Sequence, residues 1–186
     1  MNPTYHICWN LTRGTLTALF GLEGQRKEHL PKNGGFLLAA NHVSFLDPLA
    51  IGACVDFEIH YFARSSLFRG PLAPLLPRVR AIPVDRDGGS DVRSIRMALG
   101  TLAAGNGLLI FPEGTRSPDG DLQPGQRGVG LLAARAGVPV VPCRIHGSHK
   151  ALARDRALLR LGVPLTVVFG PPVPCAEIDP GKQHPE

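Results

Sequence analysis

What most constrains this chain is an alternation. Short apolar runs, "GFLLAA" (35–40), "EIHYFA" (58–63), "RAIPV" (80–84), "GLLIF" (107–111), "VPVVPCRI" (138–145) and "PLTVVFG" (164–170), are separated by stretches with helical signals. Several runs are apolar without a break, as expected of strands covered on both faces. "DPLAIGACV" opens with a cap-plus-proline pair, Asp47-Pro48. "SDVRSIRMALGTLAAG" sets Val92, Ile95, Leu99 and Leu102 at helical spacing and closes on Gly105; "PGQRGVGLLAARAG" closes similarly on Gly137. "ALFGLEG", near residue 20, reads as an edge strand. This alternation predicts an α/β fold: a single domain with a central, largely parallel sheet flanked by helices. A chain of 186 residues suffices for one such domain and its core.

The ends differ from the middle. "YHICWNLTRGTLTALFGL" is too polar for a spanning helix, which needs about 20 apolar residues. Tyr5, Cys8, Trp9, Leu16, Leu19 and Phe20 can form one apolar helical face, although Gly14 weakens the helix. Two readings stay open for residues 1–23: a segment in the membrane interface, with Trp9 and Arg13 at headgroup depth, or a terminal element packed on the domain. Residues 24–178 form the domain proper, and 179–186 are a polar tail. Cys8, Cys54, Cys143 and Cys175 are far apart with no CxxC spacing, which favours a reducing compartment and small core residues over a zinc site or disulfide framework. The net charge is +5, carried mostly by arginine. Guanidinium groups suit phosphate and carboxylate partners: a phospholipid surface, a phosphate ester, an acidic carrier protein or a nucleic acid. A merely solvated basic surface fits the charge equally well.

Open α/β sheets bind ligands beyond the carboxyl ends of their strands. There, "GFLLAA" runs into Asn41-His42, "RAIPV" into Asp85-Arg86, "GLLIF" into "PEGTRS" (112–117) and "VPVVPCRI" into "HGSHK". Four strands thus end in polar or ionisable groups that one rim could gather. Positions five apart diverge by about 140° on a helix, so His42 and Asp47 do not share a helical face. They can meet if His42 lies in the strand–helix turn and Asp47 begins the helix. The carboxylate could then hold one imidazole nitrogen and leave the other as a base. The blander alternative is an N-cap and an ordinary turn residue. In "FPEGTRS", Gly114 permits close approach of a ligand, Glu113 can accept a hydrogen bond from a hydroxyl, and Arg116 can clamp an anionic oxygen. Arg86 could supply a second phosphate contact, oriented by Asp85. Both segments could equally be surface turns with local ion pairs.

Together these segments resemble the glycerolipid acyltransferase superfamily, in particular PlsC-like 1-acylglycerol-3-phosphate acyltransferases. "NHVSFLD" resembles the family's catalytic motif, "FPEGTRS" its acceptor-binding motif, "AIPVDR" the block between them and "VPVVPC" a fourth block, with Pro142 in its characteristic place. Arg64 stands where the family commonly has lysine, and Arg80 where it commonly has glycine. The resemblance implies transfer of a fatty acyl group from a thioester, acyl-CoA or acyl-carrier protein, to the hydroxyl of a lysophospholipid. The acceptor it points to first is 1-acylglycerol-3-phosphate; a lyso-aminolipid or another lyso-lipid is the alternative. It assigns His42 as base and Asp47 as its orienting partner, and Arg86, Glu113, Gly114, Thr115 and Arg116 to the acceptor. It implies no metal and no cofactor beyond the acyl donor, and a membrane-associated protein on the cytoplasmic face. His146 and His149 are read as loop residues.

Two other functions share some of these residues. A serine thioesterase or esterase would use the same His–Asp pair but needs a nucleophile; there is no GxSxG, Ser44 is too near His42 in sequence for an elbow, and Ser117 and Ser148 are the remaining candidates. A non-catalytic module for anionic lipid or nucleic acid would use the arginines. The sequence lacks an RNA-recognition aromatic pattern, a zinc-finger spacing and a Walker loop, which speaks against nucleic acid.

Overall fold

The computed structural model describes residues 2–85, 92–126, 128–156 and 158–178. In chain order the helices and strands are α1 (Pro3–Phe20), β1 (Glu23–Gln25), β2 (Phe36–Ala40), α2 (Asp47–Cys54), β3 (Ile59–Arg64), β4 (Ala81–Val84), α3 (Val92–Ala103), β5 (Gly107–Ile110), α4 (Gly128–Ala136), β6 (Val140–His146), α5 (Ser148–Ala151), β7 (Thr166–Phe169) and α6 (Cys175–Ile178). The strands form one sheet in the order β1-β7-β6-β2-β5-β3-β4. Every pairing is parallel except β6 with β7.

Strand β2 sits between β5 and β6, so its carboxyl end opens at the middle of the rim. Its side chains alternate between two cores. Phe36, Leu38 and Ala40 join α1 and α2 on one face through Leu16, Phe20, Ala50 and Ile51. Leu37 joins α3 and α4 on the other through Ala98, Leu102, Leu132 and Ala133. Double coverage explains why β2 and β5 read as unbroken apolar runs. Strand β6 departs from that expectation. Val141, Cys143 and Ile145 are buried, whereas Pro142, Arg144 and His146 are exposed on the opposite face.

Three boundaries move. The edge strand begins at Glu23; Ala18–Phe20 belong to α1, which stops at Gly21 in the left-handed conformation. Helix α4 starts at Gly128, leaving Pro124–Gln126 outside it. His146 ends β6 and His149 lies in α5, so neither is a loop residue. Gly14 does not interrupt α1, which runs from an Asn2 cap whose side chain accepts the Tyr5 N–H at 2.8 Å. Tyr5, Leu16 and Phe20 are buried, while Leu19 of the expected apolar face is exposed. The Tyr5 hydroxyl accepts the Ile59 N–H at 3.1 Å, and Trp9 Nε1 donates to Val55 O at 2.8 Å. The segment is therefore packed on the domain, with Ile7 and Leu11 facing outward.

Arg80 has φ +65°, which explains why glycine suits this position. Arg80 Nε donates to Glu58 Oε2 at 2.5 Å, an ion pair that helps hold the strained turn before β4. This is the amino end of β4, opposite the rim that carries His42. Arg64, at the other departure, ends β3.

Candidate active site

The turn leaving β2 is built around one carboxylate. Asp47 is fully buried, and its Oδ2 accepts the N–H groups of Val43 and Ser44, both at 2.7 Å, and sits 2.9 Å from His42 Nδ1. The side chain thus turns back onto residues 42–44. Leu46 occupies the N-cap position of α2, and it makes no side-chain cap bond. An ionised carboxylate can only accept, so the proton on this imidazole belongs on Nδ1. Nε2, unprotonated in that tautomer, bonds to none of the described residues. The imidazole stacks on Phe111 with ring centroids 4.0 Å apart, which fixes its plane.

The loop after β5 holds the same histidine by its backbone. His42 N–H donates to Glu113 Oε1 at 2.8 Å, and Ser117 N–H donates to His42 O at 2.7 Å. The other Glu113 oxygen accepts the Gln123 N–H at 3.3 Å. Glu113 is 5% exposed, so this carboxylate, expected to meet a substrate hydroxyl, is instead occupied with the peptide of the histidine. On the other side of the turn, the Asn41 amide reaches Ile145: its Oδ1 accepts Ile145 N–H at 2.8 Å and its Nδ2 donates to Ile145 O at 3.2 Å. The β2–β6 ladder is thereby continued by a side chain, and residue 42 is placed at the carboxyl end of the central strand.

Gly114 has φ +70°, and a Cβ there would lie 2.3 Å from Gln126 Nε2. Thr115 is exposed. The Arg116 guanidinium lies 3.6 Å over the ring of Phe45, which is 65% exposed, so the cation sits at the rim. The structure therefore gathers His42, Asp47, Glu113, Gly114, Thr115 and Arg116 around two neighbouring turns. Arg86 lies outside the described residues. Asp85 lines a cavity of about 430 Å³ with Phe62, Phe111, Pro112, Gly114 and Leu132, between the sheet and α3–α4.

Sequence reasoning missed Phe111, Phe45, Asn41 and Gln126. Phe111 and Asn41 flank strand ends that were recognised, but stacking and a side-chain ladder are visible only once strands are paired. Ser44, Ser117 and Ser148 are all fully buried. Ser44 Oγ donates to Leu152 O at 2.7 Å and Ser117 Oγ to Asp119 Oδ1 at 2.8 Å, so no candidate serine is presented for attack. Among the described residues no group of His, Cys, Asp and Glu could hold a metal ion.

A model of the Acyltransferase family matches residues 22–146, which span both turns. The chain is 32% identical over 166 residues to the 1-acyl-sn-glycerol-3-phosphate acyltransferase of Bacillus subtilis (strain 168), covering 87% of this chain and 82% of that one. It is 30% identical over 165 residues to the protein of the same name from Limnanthes alba, covering 86% of this chain and 58% of the longer plant protein. The fold matches the crystal structure of the 1-acyl-sn-glycerophosphate (LPA) acyltransferase PlsC from Thermotoga maritima with a TM-score of 0.78 at 24% identity, over 92% of this chain and 69% of that one. Sequence, fold and extent of match agree: the chain belongs to the PlsC-like glycerolipid acyltransferase superfamily and is an enzyme that transfers acyl groups.

Proposed function

We propose that the enzyme moves a fatty acyl group from acyl-CoA or acyl-carrier protein to the free hydroxyl of 1-acylglycerol-3-phosphate, giving phosphatidic acid. The observation that carries this reading is the imidazole of His42, held at Nδ1 by Asp47 with Nε2 left to meet a substrate. An alcohol is a weak nucleophile at neutral pH, and a positioned base contributes about 10²–10⁴-fold. His42 Nε2 takes the hydroxyl proton as the oxygen attacks the thioester carbonyl. The tetrahedral intermediate collapses with loss of the thiolate, which takes the proton back from the imidazolium. Ester and thiol leave, and no serine is acylated. Asp47 favours the imidazolium while it exists.

The remaining parts follow from position. Arg116 at the rim binds the acceptor phosphate, and the sequence offers Arg86 as the second contact. Gly114 and Thr115 shape the acceptor's entry. Glu113 positions His42. The oxyanion donors are not Val43, Ser44, Gly114 or Ser117, whose N–H groups are already bonded within the protein. The 430 Å³ cavity falls in the usual range for ligand sites and lies behind Phe111, which suits an acyl chain.

The substrates are lipids, and the reading places the enzyme at a membrane surface. Among the described residues no helix is long and apolar enough to cross a membrane. Ile7 and Leu11 of α1, with Leu49 and Leu72 beside them, offer an outward apolar face for peripheral contact. A panel of lyso-acceptors with one labelled acyl thioester, read by product mass, tests the assignment. Phosphatidic acid from 1-acylglycerol-3-phosphate is the expected product. Preferential acylation of another lyso-lipid would overturn the acceptor, and paired assays with CoA and carrier-protein thioesters identify the donor.

A further inference from the structure

We infer that the loop 154–162 is a membrane-docking element that seats on a bilayer surface carrying anionic headgroups. All of its described residues are exposed. It interleaves Arg154, Arg156 and Arg160 with Leu158, Leu159 and Leu161, against a single acid, Asp155. The three leucines are 82%, 43% and 60% exposed, and Leu158 is the most exposed large apolar side chain among the described residues. A lone surface leucine needs no explanation, whereas three exposed leucines in one short arginine-rich loop put apolar and cationic side chains on the same segment.

The loop is anchored at its base and tied to the active site. Arg160 N–H donates to Ala151 O at 2.8 Å, closing the base. Ser44 Oγ, in the turn that carries His42, donates to Leu152 O at 2.7 Å. Arg154 Nη1 donates to Arg116 O at 2.9 Å, and Arg116 covers the exposed ring of Phe45. At the far end Gly162 N–H donates to Leu19 O at 2.9 Å, joining the loop to the carboxyl end of α1. One edge therefore runs from Phe45 and Arg116, through the loop, to Leu19. A surface covering that edge would lie directly at the mouth of the site.

The composition selects the occupant. Guanidinium groups meet lipid phosphates at headgroup depth while leucines enter the acyl boundary. An acidic protein would answer the arginines but leave Leu158 standing in solvent. The inference deepens the membrane association proposed above and rests on it, adding a contact that α1 does not supply.

Sedimentation of the full-length protein with vesicles tests both separately. Wild type is expected to bind mixed phosphatidylcholine–phosphatidylglycerol vesicles, and more weakly at high salt. The double variant Leu158→Glu/Leu161→Glu should bind them at least about tenfold more weakly. Arg156→Gln/Arg160→Gln should lose about fivefold for each arginine, on anionic vesicles and not on pure phosphatidylcholine. Independently, Leu158→Trp in a Trp9→Phe background, where residue 158 carries the one indole, should show blue-shifted emission on adding anionic vesicles. Wild-type binding with unaffected loop variants and no shift at residue 158 would overturn the loop assignment and leave membrane association standing. Absence of wild-type binding would overturn both. Loop variants that lose binding to an acidic carrier protein while keeping vesicle binding would also overturn it.

Discussion

Glu113 Oε1 accepts the backbone N–H of His42 at 2.8 Å, across 71 positions of sequence. Ser117 N–H on the His42 carbonyl makes the hold two-sided. The loop expected to bind the acceptor is thus also the brace of the proposed base. Glu113→Ala would leave a buried N–H unpaired, costing about 1–3 kcal/mol of stability. It would also let the imidazole drift, and a misplacement near 1 Å can cost about 10²-fold in rate. Steady-state kinetics should show kcat falling with the acceptor KM little changed, and Glu113→Gln, which keeps one acceptor oxygen, should recover part of the loss. A raised KM at unchanged kcat would instead place Glu113 on the acceptor.

Asp47→Asn tests charge apart from geometry. An amide oxygen in place of Oδ2 can still accept from Val43, Ser44 and His42. The fold should survive, with near-wild-type circular dichroism and a modest loss of Tm. The imidazolium would lose its counter-charge, and kcat should fall by about 10³-fold or more. Retention of wild-type kcat would remove Asp47 from the mechanism.

Two glycines should respond in opposite directions. Gly14 is exposed within α1, and a Cβ there would meet nothing within 4 Å. Gly14→Ala should add about 1 kcal/mol of stability. Gly114→Ala would place a side chain at φ +70° and displace Gln126, costing about 1–2 kcal/mol from the backbone alone. Each kcal/mol corresponds to a Tm change of about 2–4 °C at this chain length, readable by thermal denaturation.

The thiols divide by burial. Burial pushes the Cys54 thiol up to about 11, against the pull of Lys27 and Arg13, and pushes Cys143 up to about 12. The thiolate is the reactive form, so near pH 8 both are almost wholly protonated and shielded. Cys8 and Cys175 are half-buried. Mass-spectrometric labelling of the native protein should modify Cys8 and Cys175 first, with Cys54 and Cys143 following only on unfolding. Rapid native labelling of Cys143 would contradict its place in the core.

The sequence was most readable where contacts are local. His42 and Asp47 lie in one turn, so their spacing allowed the pair, although only the neighbouring strand-end segments raised it above an N-cap beside an ordinary turn residue; the apolar runs marked strands because both faces of β2 and β5 are covered. The role of Glu113 was not readable, because it depends on β2 and β5 being neighbours, which sheet order decides. Asp47 has the residue type of a helix cap, yet its carboxylate serves the turn before the helix; type does not reveal direction. Arg80 read only as an arginine where glycine is common, whereas its φ and its pairing with Glu58 make it part of the turn entering β4. The beginning of β1 was misplaced because Leu19 and Phe20 suit a strand as readily as the last turn of a helix.

The central claim is that His42 is the general base, and replacing it is the most direct test. Purified His42→Ala, shown by circular dichroism and melting to keep the wild-type fold, should transfer acyl groups from thioester to lyso-lipid about 10²–10⁴-fold more slowly. Turnover equal to wild type in that folded variant would contradict the account.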